Sequence, residues 1–323
     1  MPDFLEQGFF AKVGAWHGKG TVTAERLTAE QAYQKSGQDY QVVSSPIFVN
    51  GLQVKNHFAT VRADTGGVLG VVGNKYKIIQ NKSMYDVLAP VIDSIGAVYE
   101  TGGVLKEGAI IWALAKLEKS NFTIGNEDLV NMYMLLAMGH DGSMPLIATP
   151  TTIRVVCWNT LSMALSLSKQ DGRAIVRIAH KSDAYQYIPV AHRLLGLTAK
   201  NGELASAFFS QIAARQVNSV VVNEFVAAMF PSKKEDEGKE AGVIVQRARM
   251  QIRDGFDSPI NNIDSSIRHS GWSLYNAFTD YIDHNRPMRA GANRQLYSWF
   301  GAGQNQRIEA VNWINKNVLN GTN

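Results

Sequence analysis

The chain has 323 residues, 45% of them hydrophobic and 19% charged, with a formal net charge of +4. This composition excludes a disordered chain and allows one large core or two ordinary ones without covalent staples. The single cysteine, Cys157, excludes a disulfide framework within the chain and a cysteine-based zinc site, and it fits a reducing cytoplasm.

The opening Met1-Pro2-Asp3-Phe4 lacks the basic and apolar regions of a secretory signal. No run reaches the about 18 apolar residues that a membrane span needs. A cytoplasmic protein with no membrane partner is therefore expected. Thr28 with Gln31 three residues on predicts a capping box at the start of a short helix, closed by Gly37. From Tyr40 to about Arg177 the pattern reads mostly as strands. His57–Arg62 and Val68–Val72 flank Asp64-Thr65-Gly66-Gly67 as a hairpin. Asn81 or Ser83 is the expected cap of a helix running to about Ile95, and Thr101-Gly102-Gly103 reads as a turn. Ala109–Leu117 and Leu129–Met138 are long apolar runs suited to pairing. Asp141-Gly142 turns the chain before Leu146–Thr149; Asn159–Leu167 has helical spacing, and Ala174–Ile178 alternates as a strand. Beyond Ser182 the periodicity becomes helical, over Ala184–Leu195, Glu203–Arg215, Asn218–Met229, Ala241–Arg253, Trp272–Asp283 and Gln304–Val318. The fold class expected is α+β: a β-rich core of antiparallel hairpins and helices over 1–181, then a helical region over 182–323 with a charged loop at 232–240.

No local motif carries a complete catalytic or cofactor signature. Val68-Leu69-Gly70-Val71-Val72-Gly73-Asn74-Lys75 lacks the spacing and the Ser or Thr of a phosphate-binding loop, and no GxGxxG follows a strand. The seven histidines form no HExxH. No cofactor and no metal site are expected. His140-Asp141-Gly142-Ser143 can be read as a proton relay or metal pair, yet Asp-Gly between apolar runs is a favoured turn, and neighbouring residues on a strand point to opposite faces. What remains is basic and aromatic interleaving. Lys75, Tyr76, Lys77, Arg154, Trp158, Arg173, Arg177 and Lys181 are the candidate binding residues, with Arg62 in the same zone. Arg173 and Arg177 share a strand face around Ile175; guanidinium groups suit phosphates, and aromatics such as Tyr76 or Trp158 can stack bases. A second zone joins Arg268, Arg286, Arg289 and Arg294 with Trp272, Tyr275 and Trp299.

Several motifs appear together in order: Trp16-His17-Gly18-Lys19-Gly20, Thr65-Gly66 with Leu69-Gly70-Val71-Val72-Gly73, Tyr76-Lys77-Ile78-Ile79-Gln80-Asn81, His140-Asp141-Gly142-Ser143, Arg154-Val155-Val156-Cys157-Trp158-Asn159-Thr160-Leu161 and Tyr281-Ile282-Asp283-His284. On these the chain resembles the phage/plasmid-like proteins containing "domain of unknown function 932" over most of its length. Lys19 departs from the leucine of the family's WHGLG-like element. The resemblance implies no activity; it implies a mobile-element setting, where DNA maintenance, recombination or counter-defence is needed. By fold-level analogy, single-strand annealing recombinases share such a setting and form rings.

The function expected is therefore binding and annealing of single-stranded DNA in recombination, by a homo-oligomer that can be a ring. Two alternatives stand beside it. One is a metal-dependent hydrolase of nucleotides or nucleic acid using His140 and Asp141 with His17 or His180. The other is a counter-defence protein that binds a host factor.

Overall fold

The computed structural model describes residues 7–11, 21–23, 27–86, 89, 96–154, 160–161, 176–181, 198–232, 241–289, 292 and 294–321. The architecture is α+β, with antiparallel sheets in the N-terminal half and helices in the C-terminal half, as the sequence pattern predicts. Among the described residues, no helix is long and apolar enough to cross a membrane. The chain divides into two compact units. One comprises Met1–Lys119, Met132–Pro150 and Gly172–Ala199; the other comprises Ser120–Asn131, Thr151–Asp171 and Lys200–Asn323. The sequence reading has one boundary after residue 181, whereas these stretches interleave.

The described strands are β1 (Gln7–Ala11), β2 (Thr21–Thr23), β3 (Val42–Val49), β4 (Leu52–Arg62), β5 (Val68–Gly73), β6 (Val98–Leu105), β7 (Ile110–Lys116), β8 (Phe122–Ile124), β9 (Asp128–Gly139), β10 (Leu146–Arg154), β11 (Thr160–Leu161) and β12 (Val176–Ile178). In the first unit the large sheet runs β10-β9-β7-β6-β1-β2, and β12 also pairs with β10. The expected pairing of the two long apolar runs is present: β7 and β9 are antiparallel, Ile110 opposite Gly139 and Lys116 opposite Tyr133. Nearly every residue of β9 is buried, so both faces are covered and the strand reads as a continuous apolar run instead of an alternation. Helix α1 (Ala29–Lys35) starts at the predicted capping box, Gln31 N–H donating to Thr28 Oγ1 and Thr28 N–H to Gln31 Oε1. Its Ala32 joins Tyr99, Ile111, Leu136, Met138 and Ile178 in one core.

Two local expectations fail in this region. Thr101-Gly102-Gly103 is no turn; it lies inside β6, with Gly103 opposite Gly8 on one side and Trp112 on the other. Partners on both sides outweigh the turn propensity of the glycines. Thr160–Leu161, expected to begin a helix, pairs as β11 with Ile153 and Thr152; Asn159 and 162–167 lie outside the described residues.

A second, three-stranded sheet has the order β3-β4-β5. The Asp64–Gly67 hairpin is where the sequence predicts it. The β3–β4 hairpin turns on Asn50 (φ 52°) and Gly51 (φ 77°), the Asn-Gly pair that tolerates two left-handed residues. This pair is a legible signal that the sequence reading passed over.

The second unit gathers α2 (Thr198–Ala213), α3 (Ser219–Met229), α4 (Val243–Asp257), α5 (Gly271–Asp280), α6 (Arg294–Trp299) and α7 (Ala302–Ile314). Asn218 caps α3 by accepting from Val220 and Val221 N–H, and Ser270 and Ser273 form a capping box for α5. Phe208, Phe209, Phe225, Trp272, Tyr275 and Phe278 fill the core. Helix α5 continues into a π-helical turn, Tyr281–Asn285. This turn carries Asp283, where buried Arg307 of α7 and the Ser298 hydroxyl both donate to its Oδ1. In the second zone of this half Trp272, Tyr275 and Trp299 are buried, Arg286 packs over Tyr297 and donates to Gln306, and Arg294 donates to the Arg286 carbonyl, while Arg268 and Arg289 are exposed. Ala184–Leu195 and 233–240 lie outside the described residues.

Candidate nucleic-acid interface

The site grows from the end of β5. After Gly73 the chain turns, Tyr76 N–H donating to the Gly73 carbonyl (2.9 Å), and then runs beside the residues that follow β12. Lys77 N–H donates to the His180 carbonyl (3.0 Å), and His180 Nδ1–H donates to the Lys77 carbonyl (3.1 Å). The Tyr76 ring stacks on the His180 ring, centroids 4.4 Å apart and planes within 11°. Its hydroxyl donates to the Gly139 carbonyl at 2.9 Å. Two segments about a hundred residues apart in sequence are thus joined by one main-chain bond and by a bond from the His180 ring to the Lys77 carbonyl.

Four cations stand on this joint. Lys75, Lys77, Arg177 and Lys181 are all exposed. Arg177 owes its direction to strand alternation: Val176 and Ile178 are buried on β12, so the residue between them faces out. From Arg177 to Lys181 the chain can extend no more than about 13 Å. Among the described residues, no carboxylate pairs with any of the four. Arg62, read in the same zone, is engaged instead: it makes two bonds to Asp64 (2.7 and 3.0 Å) and lies 3.9 Å over the Tyr40 ring.

Of the eight predicted residues, the structure therefore brings together Lys75, Tyr76, Lys77, Arg177 and Lys181. Tyr76 departs from its expected part as a base-stacking surface. One of its faces is covered by His180 and its hydroxyl is bonded, so it fixes the position of its lysine neighbours. Arg154 closes β10, with its side chain outside the described residues; Trp158 and Arg173 lie outside them altogether.

Behind the joint sits a polar hub that sequence reasoning misassigned. Asn81 was expected as a helix cap; it is buried, and its Nδ2 donates to the Gln38 (2.9 Å) and Tyr40 (3.3 Å) carbonyls. Its Oδ1 must then accept, so the bond from His140 Nε2 at 2.6 Å carries the histidine proton. Gln80 bonds both main-chain groups of Val42, N–H at 3.0 Å and carbonyl at 2.8 Å, as a strand partner would. A polar Gln-Asn pair closing an apolar run was the available signal.

Burial pushes the His140 pKa down to about 3, the nearby His180 adds to this, and Asp141 opposes it. Burial also lowers the pKa of His180. Asp141 turns away from this hub, accepting from Ser143 N–H (2.9 Å) and standing 3.5 Å from Lys106 Nζ. The turn reading of His140-Asp141-Gly142-Ser143 accounts for the geometry, with Gly142 at φ 78°. Thr60 of β4 donates to the His140 carbonyl at 2.8 Å, and a Cβ on Gly70 would lie 2.4 Å from the Asp141 Cα. The small sheet is thereby held against the turn. Among the described residues, no three His, Cys, Asp or Glu side chains are grouped to hold a metal ion, and His17 lies outside them.

The family described as "domain of unknown function (DUF932)" matches residues 68–299. The matched span includes Tyr76–Asn81, His140–Ser143 and Tyr281–His284, the segments that build the joint, the hub and the Arg307 site. No curated protein and no solved structure matches the chain.

Proposed function

We propose that this chain, which belongs to the family carrying the domain of unknown function DUF932, binds single-stranded nucleic acid along the Lys75, Lys77, Arg177 and Lys181 surface. One observation carries the reading: four exposed cations stand on one main-chain-bonded joint, with no carboxylate among the described residues drawn to them. A sugar-phosphate backbone supplies the missing negative charge, and such binding needs neither a nucleophile nor a cofactor. A role in annealing within phage or plasmid recombination, as a homo-oligomer in the host cytoplasm, belongs to the same proposal. The hydrolase reading has less support, because His140 Nε2–H is spent on Asn81 while Asp141 accepts from Ser143 and faces Lys106.

The test is fluorescence anisotropy with a labelled oligonucleotide over a salt series. Four contacts to a single strand give a slope of roughly −3 in log affinity against log salt, hence about a 50-fold loss between 50 and 200 mM. Reversing Lys75, Lys77, Arg177 and Lys181 to Glu abolishes binding while the fold survives, since all four side chains are exposed. Binding that ignores salt, or that survives the reversal, defeats the proposal.

A further inference from the structure

Between Tyr281 and Ile314 the second unit has four arginines, Arg286, Arg289, Arg294 and Arg307, against two carboxylates, Asp283 and Glu309. The Asp283 carboxylate is spent on Arg307 and on the Ser298 hydroxyl, yet Arg307 Nε stays buried with no hydrogen-bond partner among the described residues. Glu309 is exposed and pairs with no arginine among them. Positive charge here exceeds what the protein itself neutralises.

Arg286 is fixed in both main chain and side chain. It follows the π-helical turn Tyr281–Asn285, and its N–H donates to the Tyr281 carbonyl at 2.7 Å. Pro287 restricts the residue before it to extended backbone, and Arg286 has ψ 128°. Its guanidinium carbon lies 5.2 Å over the Tyr297 ring, and Nη1 donates to Gln306 Oε1 of α7 at 3.1 Å. The Tyr297 hydroxyl donates to the same oxygen at 2.6 Å, so both lone pairs of that amide are used. The Nε and Nη2 edge of Arg286, the edge that meets two oxygens side-on, makes no bond among the described residues, and no carboxylate pairs with the group. Burial raises the Tyr297 hydroxyl pKa, and Arg286, Arg307 and Arg294 each pull it back, so three guanidinium groups act on one half-buried hydroxyl. Arg289 follows three positions on, at most about 10 Å of extended chain away. It is exposed and makes no side-chain bond among the described residues, and its carbonyl accepts from Ala292 N–H at 3.0 Å.

We propose that Arg286 and Arg289 hold a phosphate group in the second unit. A guanidinium backed by an aromatic ring and held by one neutral amide gives up little freedom when its open edge meets an anion. Phosphate suits the pair better than a carboxylate, because its oxygens point in more than two directions and a second cation reaches it together with the first. The phosphate belongs either to a nucleic-acid strand or to a small free phosphate; the chemistry of recognition is the same. The site is built within the second unit and does not rest on the Lys75, Lys77, Arg177 and Lys181 surface.

The experiment is calorimetric titration of the full chain with inorganic phosphate at constant ionic strength, sodium chloride being the control, beside oligonucleotide anisotropy. Arg286→Lys keeps the charge and loses the fork; Arg289→Gln removes an exposed charge. Each is expected to weaken the response about tenfold. A free phosphate as ligand shows this loss in the phosphate titration with oligonucleotide affinity unchanged. A strand as ligand shows it in the anisotropy, with the salt slope lowered by about 0.7 for each contact removed. Either result supports the site. Phosphate and oligonucleotide responses that both ignore the two substitutions overturn it, and so does a chain that binds neither. Should a variant fail to fold, phenylglyoxal footprinting of the wild type decides: protection of Arg286 and Arg289 by phosphate or by oligonucleotide supports the site, and labelling unchanged by both overturns it. The charge reversal at Lys75, Lys77, Arg177 and Lys181 reports the strand surface separately, since phosphate binding at Arg286 is expected to survive it.

Discussion

Acid should weaken this protein well before its carboxylates titrate, and His140 is the reason. In the unfolded chain a histidine titrates near 6.5; in the folded protein burial first, and the neighbouring His180 second, hold His140 down to about 3. The folded-state pKa is depressed for a base, so below 6.5 the unfolded chain takes up a proton that the folded chain refuses. Stability is therefore full above pH 6.5 and declines as pH falls toward 3. Between pH 7 and pH 5 the loss from this one group is about 2 kcal/mol. His180, lowered in the same direction by burial, adds to it. The groups that act on His140 are the Asn81 amide it bonds, the His180 ring and the Asp141 charge, and only Asp141 opposes the shift. The Asp64 and Asp264 carboxylates, held below the ordinary aspartate range by hydrogen bonds from Arg62 and from Ser266, titrate outside this window. Urea midpoints at pH 7 and pH 5, with an unchanged denaturant slope, measure the effect. His140→Gln keeps a donor for Asn81 and removes the titration, so its pH dependence should be flatter. Equal midpoints at both pH values, or a variant as acid-sensitive as the wild type, would refute the assignment of His140 as a buried neutral imidazole.

Two further outcomes follow from close contacts. Gly70→Ala places a methyl group 2.4 Å from the Asp141 main chain, so β5 or the turn must move; a loss of about 1–3 kcal/mol in urea unfolding is expected, and an unchanged midpoint would mean the two backbones are not in contact. Asp283→Ala leaves Arg307 as a buried charge without its carboxylate, at a cost of about 3–5 kcal/mol. Pairing Asp283→Leu with Arg307→Met should recover most of that loss, and a double variant no more stable than the single would contradict the charge argument.

Features set within a few residues were legible in the sequence. The Thr28–Gln31 capping box, the Asp64–Gly67 hairpin and the Asp141-Gly142 turn are each made by groups at most four positions apart, and each stands where local chemistry predicts. The long apolar runs of β7 and β9, and the period of the last helices, declared the fold class because burial follows periodicity. The errors have a common origin. Thr101-Gly102-Gly103 looks like a turn until strands lie on both sides of it. Asn81 looks like a cap until a histidine 59 positions away needs an acceptor. Arg62 looks available until Asp64 and Tyr40 surround it.

The candidate surface shows the same division. Basic and aromatic interleaving named Lys75, Lys77, Arg177 and Lys181 as candidate binding residues. That they stand together was decided by tertiary structure, through bonds spanning 103 residues between Lys77 and His180 and 63 between Tyr76 and Gly139. Sequence by itself settled which groups were present and which local turns they favour, because those energies depend on neighbours along the chain. Which groups meet depends on the register of strands far apart in sequence, and a shift of one residue would turn every side chain to the opposite face.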